Sequence, residues 1–160
     1  MHIEPLEPKH WPAVRAIFEE GIAAGNATFE QSAPDWEHWN AAHHQHSRLI
    51  AIDTELLGWA ALSPVSQRHV YRGVAEVSIY IAARARGRHI GKALMQALIE
   101  ASEAAGVWTL QSAIFKENLP SIQLHLKAGF RILGERERIG QLGGVWRTTV
   151  QMERRSPLIF

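Results

Sequence analysis

The chain has 160 residues, one domain's length, and its 17 Lys and Arg against 16 Asp and Glu leave a formal net charge of +1. That balance gives no electrostatic reason to bind nucleic acid or an anionic membrane. The absence of cysteine excludes a disulfide framework, a thiolate zinc site and an acyl group carried on an enzyme thiol.

The segment Met1-His2-Ile3-Glu4-Pro5 has acid and proline where a signal peptide has a basic start and an apolar core, and the strongest apolar stretch, near 56–65, is too short to span a bilayer. A single cytoplasmic domain over residues 1–160 is the expectation. Residues 1–6 read as a short strand. Trp11, Val14, Ile17 and Phe18 follow helical spacing, with Gly21 or Gly25 as the stop. Pro34-Asp35 starts a second helix that shares Trp36, Trp39 and His43 on one face, so His43 reads as packed. His38, His44 and His46 have no acid at ligand spacing, and no metal is expected.

Residues 49–52 and 56–62 form a hairpin turning at Asp53-Thr54. Residues 74–81 are the clearest strand: Val74, Glu76, Ser78 and Tyr80 alternate with Ala75, Val77, Ile79 and Ile81. Ile90, Ala93, Leu94, Ala97, Leu98 and Ala101 give an amphipathic helix ending at Gly106. Residues 108–115 are a strand, 118–128 a helix stopped by Gly129, and 130–133 and 145–152 the last strands. The order βααβββαβαββ describes a mixed α/β (α+β) domain whose central sheet carries helices on its faces.

Three segments carry candidate chemistry. Arg86-Gly87-Arg88-His89-Ile90-Gly91-Lys92 lies between a strand and a helix. Outward amides at a helix start, a permissive glycine and three cations make a pyrophosphate cradle, although the same residues also suit a solvated basic turn. The spacing is neither that of a P-loop nor that of a Rossmann fingerprint. Glu76, mid-strand among apolar neighbours, reads as a general base whose pKa burial would raise, as part of an exposed strand face, or as the partner of Arg72 in an ion pair. In Asn118-Leu119-Pro120-Ser121-Ile122-Gln123-Leu124-His125, Asn118 and Ser121 suit a helix cap. His125 is either packed or a proton donor.

In this order the three segments resemble the GNAT superfamily of N-acetyltransferases: Arg86 to Gly91 its pyrophosphate motif, with His89 where glycine is usual; the Glu76 strand; and the Asn118 to Phe130 segment. Glu76-Val77-Ser78-Ile79-Tyr80-Ile81, His125, Asn26-Ala27-Thr28-Phe29-Glu30 and Gly144-Val145-Trp146-Arg147 resemble the phosphinothricin acetyltransferase branch over residues 2–154. One departure is Arg147-Thr148-Thr149, where that branch commonly has an acid soon after the tryptophan.

The resemblance implies a mixed, mostly antiparallel sheet flanked by helices on both faces, and direct acetyl transfer from acetyl-CoA to a small-molecule amine in a ternary complex. The acceptor class is an amino acid or toxic analogue of the phosphinothricin, methionine sulfone, methionine sulfoximine or arsinothricin type. Ile79, Tyr80 and Ile81 would flank the pantetheine arm, Arg86, Gly87, Arg88, His89, Ile90, Gly91 and Lys92 the pyrophosphate, and Asn118 and Ser121 the far end of the arm. Glu76 would be the base and His125 the acid. Phe29, Arg72, Val77, Ser78 and Trp146 would form the acceptor site, and a homodimer is expected. Acetylation of a polyamine, an aminoglycoside or a protein N-terminus, and non-catalytic acyl-CoA sensing, are the alternatives.

Overall fold

The computed structural model describes residues 1–160. Strands β1 (His2–Pro5), β2 (Leu49–Ile52), β3 (Leu56–Pro64), β4 (Val74–Ile81), β5 (Thr109–Phe115), β6 (Arg131–Leu142) and β7 (Val145–Arg155) form one sheet in the order β1-β2-β3-β4-β5-β7-β6. Every pairing is antiparallel except β4 with β5. Helices α1 (Trp11–Ala24), α2 (Trp36–Ala42), α3 (Ile90–Ala104) and α4 (Leu119–Lys127) complete the domain. No helix is long and apolar enough to cross a membrane.

Local signals set the helix ends. The Asp35 carboxylate accepts the His38 amide and starts α2, Gly25 at φ 83° closes α1, and Gly129 at φ 91° follows α4. Behind α2 the buried Arg48 guanidinium donates to the Asn40 and His43 carbonyls and lies over the Trp39 ring. That cation satisfies carbonyls the helix end leaves open. His43 stacks on Trp39 and bonds its carbonyl, the packing its spacing predicts.

The Glu76, Ser78 and Tyr80 face of β4 turns toward α1: the Tyr80 ring lies edge-on to Phe18, flat on Trp59, and against Gly21. Gly21 therefore sits inside α1, where a Cβ would stand 2.8 Å from that ring. The opposite face, through Ile81, meets Leu94 of α3 near Gly58, and α4 packs beside α3 through Leu124 on Gly91. The core forms on both faces of β3 and β4, and Trp39, Trp59, Leu62, Leu94 and Leu98 are fully buried.

The expected strand at 130–133 extends through Leu142, so β6 and β7 form a long hairpin turning at Gly143-Gly144 (φ 56° and 80°). Two successive left-handed residues make the tight turn that matches strand twist. The extension carries Glu135-Arg136-Glu137-Arg138, which buries neither face. An edge strand exposed on both sides shows no apolar alternation to read.

Candidate active site

The parallel pair β4–β5 is the origin of the site. Its register holds at Val74 with Thr109, Ala75 with Leu110 and Glu76 with Gln111, and then stops, although β4 runs on to Ile81 and β5 to Phe115. Beyond Glu76 the strands splay, and the β5-facing edge of residues 77–81 is unpaired. A cavity of about 270 Å³ fills the gap. It reaches both sides of the sheet: Glu76, Ser78, Tyr80, Phe115 and Thr149 line it from one, and Val77, Ile79, Ser112 and His125 from the other.

Glu76 stands at the apex of the splay, half-buried. Burial pushes its carboxyl above the usual carboxylate range, while a hydrogen bond from the Gln111 side chain and the positive charge of Arg136 oppose the rise. It forms no ion pair with Arg72. The Arg72 guanidinium instead donates to the His69 carbonyl and lies 5.2 Å over the Trp108 ring, outside the cavity. Trp146 also stands outside, 55% exposed beside the hairpin turn. Thr149, three residues on and opposite Phe115, is the β7 side chain that reaches the cavity.

His125 is 1% exposed. Its Nδ1 donates to the Ser121 carbonyl at 2.7 Å, and Nε2 is buried without a partner at the cavity wall. A carbonyl only accepts, so Nδ1 carries the proton; burial pushes the imidazole pKa down and keeps the ring neutral. Nε2 is thus an acceptor, which departs from the proton donor that the resemblance implies.

On the far side of the opening, α3 begins with an anion cradle. The amides of Gly87 through Lys92 have no backbone acceptor. Gly87 and His89 both take left-handed φ, 75° and 60°, which folds the turn into a concave backbone beside the exposed Arg86, Arg88 and Lys92. His89 adopts the conformation that its usual glycine counterpart reaches without strain. The residues present fit a pyrophosphate: consecutive donors, three cations and a helix start.

The loop after α1 closes the other side. Phe29 packs edge-on against Phe115 at 4.7 Å and over Gly140, and Thr28 hydrogen-bonds the buried Tyr80 hydroxyl, whose pKa burial pushes up to about 12. The Tyr80 side chain therefore faces the Thr28 side of the sheet and Ile79 the His125 side. Arg147 anchors the loop: Nη1 donates to the Gly25 carbonyl at 2.8 Å, Nη2 to Asn26 Oδ1 at 2.7 Å and to Glu117 at 3.1 Å, and the guanidinium lies 4.0 Å over Phe115. Asn118 accepts the Ser121 amide as a cap and donates to the Asn26 carbonyl.

Thr28, Glu30, Gln111, Ser112, Phe115 and Thr149 join the site without having been read from the sequence. Thr28 and Glu30 lie in the segment whose resemblance the sequence shows, and Gln111 carried a signal of its own, a polar residue mid-strand like Glu76.

The model of the acetyltransferase (GNAT) family matches residues 11–130. The chain is 32% identical over 142 residues to the L-methionine sulfoximine/L-methionine sulfone acetyltransferase of Pseudomonas aeruginosa, covering 84% of this chain and 83% of that one. It is 33% identical over 151 residues to the phosphinothricin N-acetyltransferase of Alcaligenes faecalis, covering 89% and 76%. Its fold superposes on the ribosomal-protein-alanine N-acetyltransferase of Brucella melitensis with a TM-score of 0.91 at 27% identity, covering 98% and 100%. It also superposes on a GNAT superfamily phosphinothricin acetyltransferase of Sinorhizobium meliloti in complex with AcCoA, at 0.86 and 25%, covering 99% and 95%.

Proposed function

The chain belongs to the GNAT acetyltransferase family, and from that premise we propose that it acetylates the α-amino group of a small amino acid or analogue, of the phosphinothricin or methionine sulfone type, by direct transfer in a ternary complex. Its class of activity is acyl-CoA-dependent N-acetyl transfer. The observation that carries this reading is the splay of β4 from β5, which opens the sheet between Glu76 and Phe115 on one face and Ser112 and His125 on the other.

Acetyl-CoA rests its pyrophosphate on the amides of residues 87–92 and lays its arm along the free edge of β4, beside Asn118 and Ser121. The acceptor enters from the Phe29 side as an ammonium ion, which has no lone pair. Glu76, directly or through water, takes its proton. The freed amine attacks the thioester carbon, a β4 amide facing the gap holds the oxygen that gains charge, the nitrogen gives its second proton to water, and the C–S bond breaks. The thiolate is only moderately basic, with a reference thiol pKa of ~8.5, and departs without an acid. His125 Nε2, unpartnered at the cavity wall, is left to accept a hydrogen bond from a bound substrate.

The missing cysteine and the single through-sheet opening both favour one ternary complex. Initial rates measured against both substrates are expected to give intersecting double-reciprocal lines. Parallel lines with a trapped acetyl-enzyme contradict the direct step. A cytoplasmic homodimer stays part of the proposal. The exposed Ile132, Leu133, Val145 and Trp146 of the β6–β7 hairpin, and the apolar tail 157–160, are the surfaces such a pairing would cover.

A further inference from the structure

The cavity lining carries negative charge without a matching cation. Glu76 and Glu30 face it with carboxylates, and no lysine or arginine lines it. An α-amino acid brings two opposite charges a few bonds apart: an ammonium that suits Glu76, and a carboxylate that the two glutamates repel. Such an acceptor needs a cation on the Glu76 face, within an amino acid's length of that carboxyl.

The basic residues around the opening are nearly all engaged. Arg147 holds Gly25, Asn26 and Glu117, and Arg72 donates to the His69 carbonyl and lies over Trp108. Along β6, Arg131 pairs with Glu153, Glu135 with Lys116, and Glu137 with Arg138. Arg136 is exposed between the last two pairs and forms no ion pair or side-chain hydrogen bond of its own.

The register places that free guanidinium at the site. Arg136 pairs with Thr149 and Thr149 with Phe115, so their side chains stand in one row on the Glu76 face, and Thr149 and Phe115 line the cavity. The row between this one and the Glu76–Gln111 pair is Ala113, Gln151 and Gly134. A methyl and a bare glycine keep that row low, and the positive charge of Arg136 is felt across it at the Glu76 carboxyl. Pairing slips immediately after Arg136, before it resumes at Gly140 with Arg147. Bulges of this kind re-aim side chains beside active sites.

We propose that Arg136 is the anchor for the acceptor's carboxylate. With the ammonium at Glu76 and the carboxylate across Ala113 at Arg136, the site selects a free α-amino acid over the same amine without its acid, a peptide N-terminus included. A guanidinium suits this task because its planar fork meets both carboxylate oxygens. The assignment moves the anchor from Arg72 to β6, and it rests on the acetyl-transfer reading above.

The full chain, saturated with acetyl-CoA, is assayed on methionine sulfone and phosphinothricin and on the α-amide of each, which keeps the amine and side chain and lacks the α-carboxylate. Wild type is expected to favour the acids. Arg136→Gln is expected to lower kcat/KM about 10–100-fold for the acids, the loss of a hydrogen bond to a charged group, and to leave the amides within about twofold of wild type. The loss falls on KM, and Arg136→Lys recovers part of it. Arg136 is exposed on the edge strand, so neither substitution threatens the fold. Equal losses for acid and amide place Arg136 behind Glu76 alone and overturn the anchor. So do a wild type that prefers the amides, and an acid preference that Arg136→Gln keeps and Arg72→Ala erases; each leaves acetyl transfer in place. No turnover on any of the acceptors overturns the transfer reading and the anchor with it.

Discussion

Replacing Glu76 with Gln is expected to lower kcat about 10²–10⁴-fold, the range general-base catalysis contributes, while acetyl-CoA affinity stays within about twofold of wild type. The substitution keeps shape and removes only the ability to take a proton. Burial raises this carboxyl above the usual carboxylate range while Gln111 and Arg136 oppose the rise, so it is a stronger base than an exposed glutamate. The base works deprotonated. The wild-type kcat/KM therefore rises with pH through a pKa above the usual carboxylate range, and the Gln variant loses that limb. A Gln variant that keeps both the rate and the limb removes Glu76 from the reaction. Stability moves the other way. A carboxyl with a folded pKa raised above its unfolded one contributes stability at low pH that is lost as pH rises through the folded value, so Glu76→Gln is expected to raise Tm at neutral pH. A site that gains stability when disabled has been shaped for chemistry.

Arg147→Ala is expected to raise the acceptor KM about 10–100-fold and leave the acetyl-CoA KM within twofold. The guanidinium is 12% exposed and ties the loop after α1, the turn before α4 and β7 into one unit. Hydrogen bonds from a charged group contribute ~1.5–3 kcal/mol each, and the loop they hold carries Thr28, Phe29 and Glu30. Without the tether the wall has to be ordered by the acceptor itself, and binding weakens by that cost. Arg147→Lys keeps the charge but not the planar fork, and partial recovery is expected. An unchanged acceptor KM, or equal losses for both substrates, marks Arg147 as structural only.

The sequence was most readable where a feature is local. β4 matched to the residue because its alternation is complete, and Glu76 stood out as the carboxylate in it. The anion cradle was equally legible, since one turn supplies all its amides and cations, although only the structure assigns His89 its left-handed backbone. The two-faced burial behind α2 was partly visible in Trp36, Trp39 and His43, but Arg48, which closes that helix end, gave no sign.

The acceptor side was harder because its contacts are distant. Arg147 meets Gly25 and Asn26 more than a hundred positions away in the chain, and no periodicity signals that. Trp146 was placed at the acceptor by resemblance, and Arg72 because a guanidinium near the start of the Glu76 strand could hold an acceptor's carboxylate or phosphinate. Trp108 and the hairpin geometry draw them off, and Thr149 takes the position that Trp146 was expected to fill.

Transfer of an acetyl group from acetyl-CoA to an α-amine is followed through the free CoA it releases, read with a thiol-reactive dye. The chain has no cysteine, so the enzyme adds no background. The acceptors are phosphinothricin, methionine sulfone, methionine sulfoximine, ordinary L-amino acids, spermidine and an aminoglycoside. The expected result is thiol release with phosphinothricin or the sulfone-type amino acids, matched mole for mole by N-acetylated product. Release confined to spermidine or the aminoglycoside, or silence across the set while acetyl-CoA still binds, contradicts it.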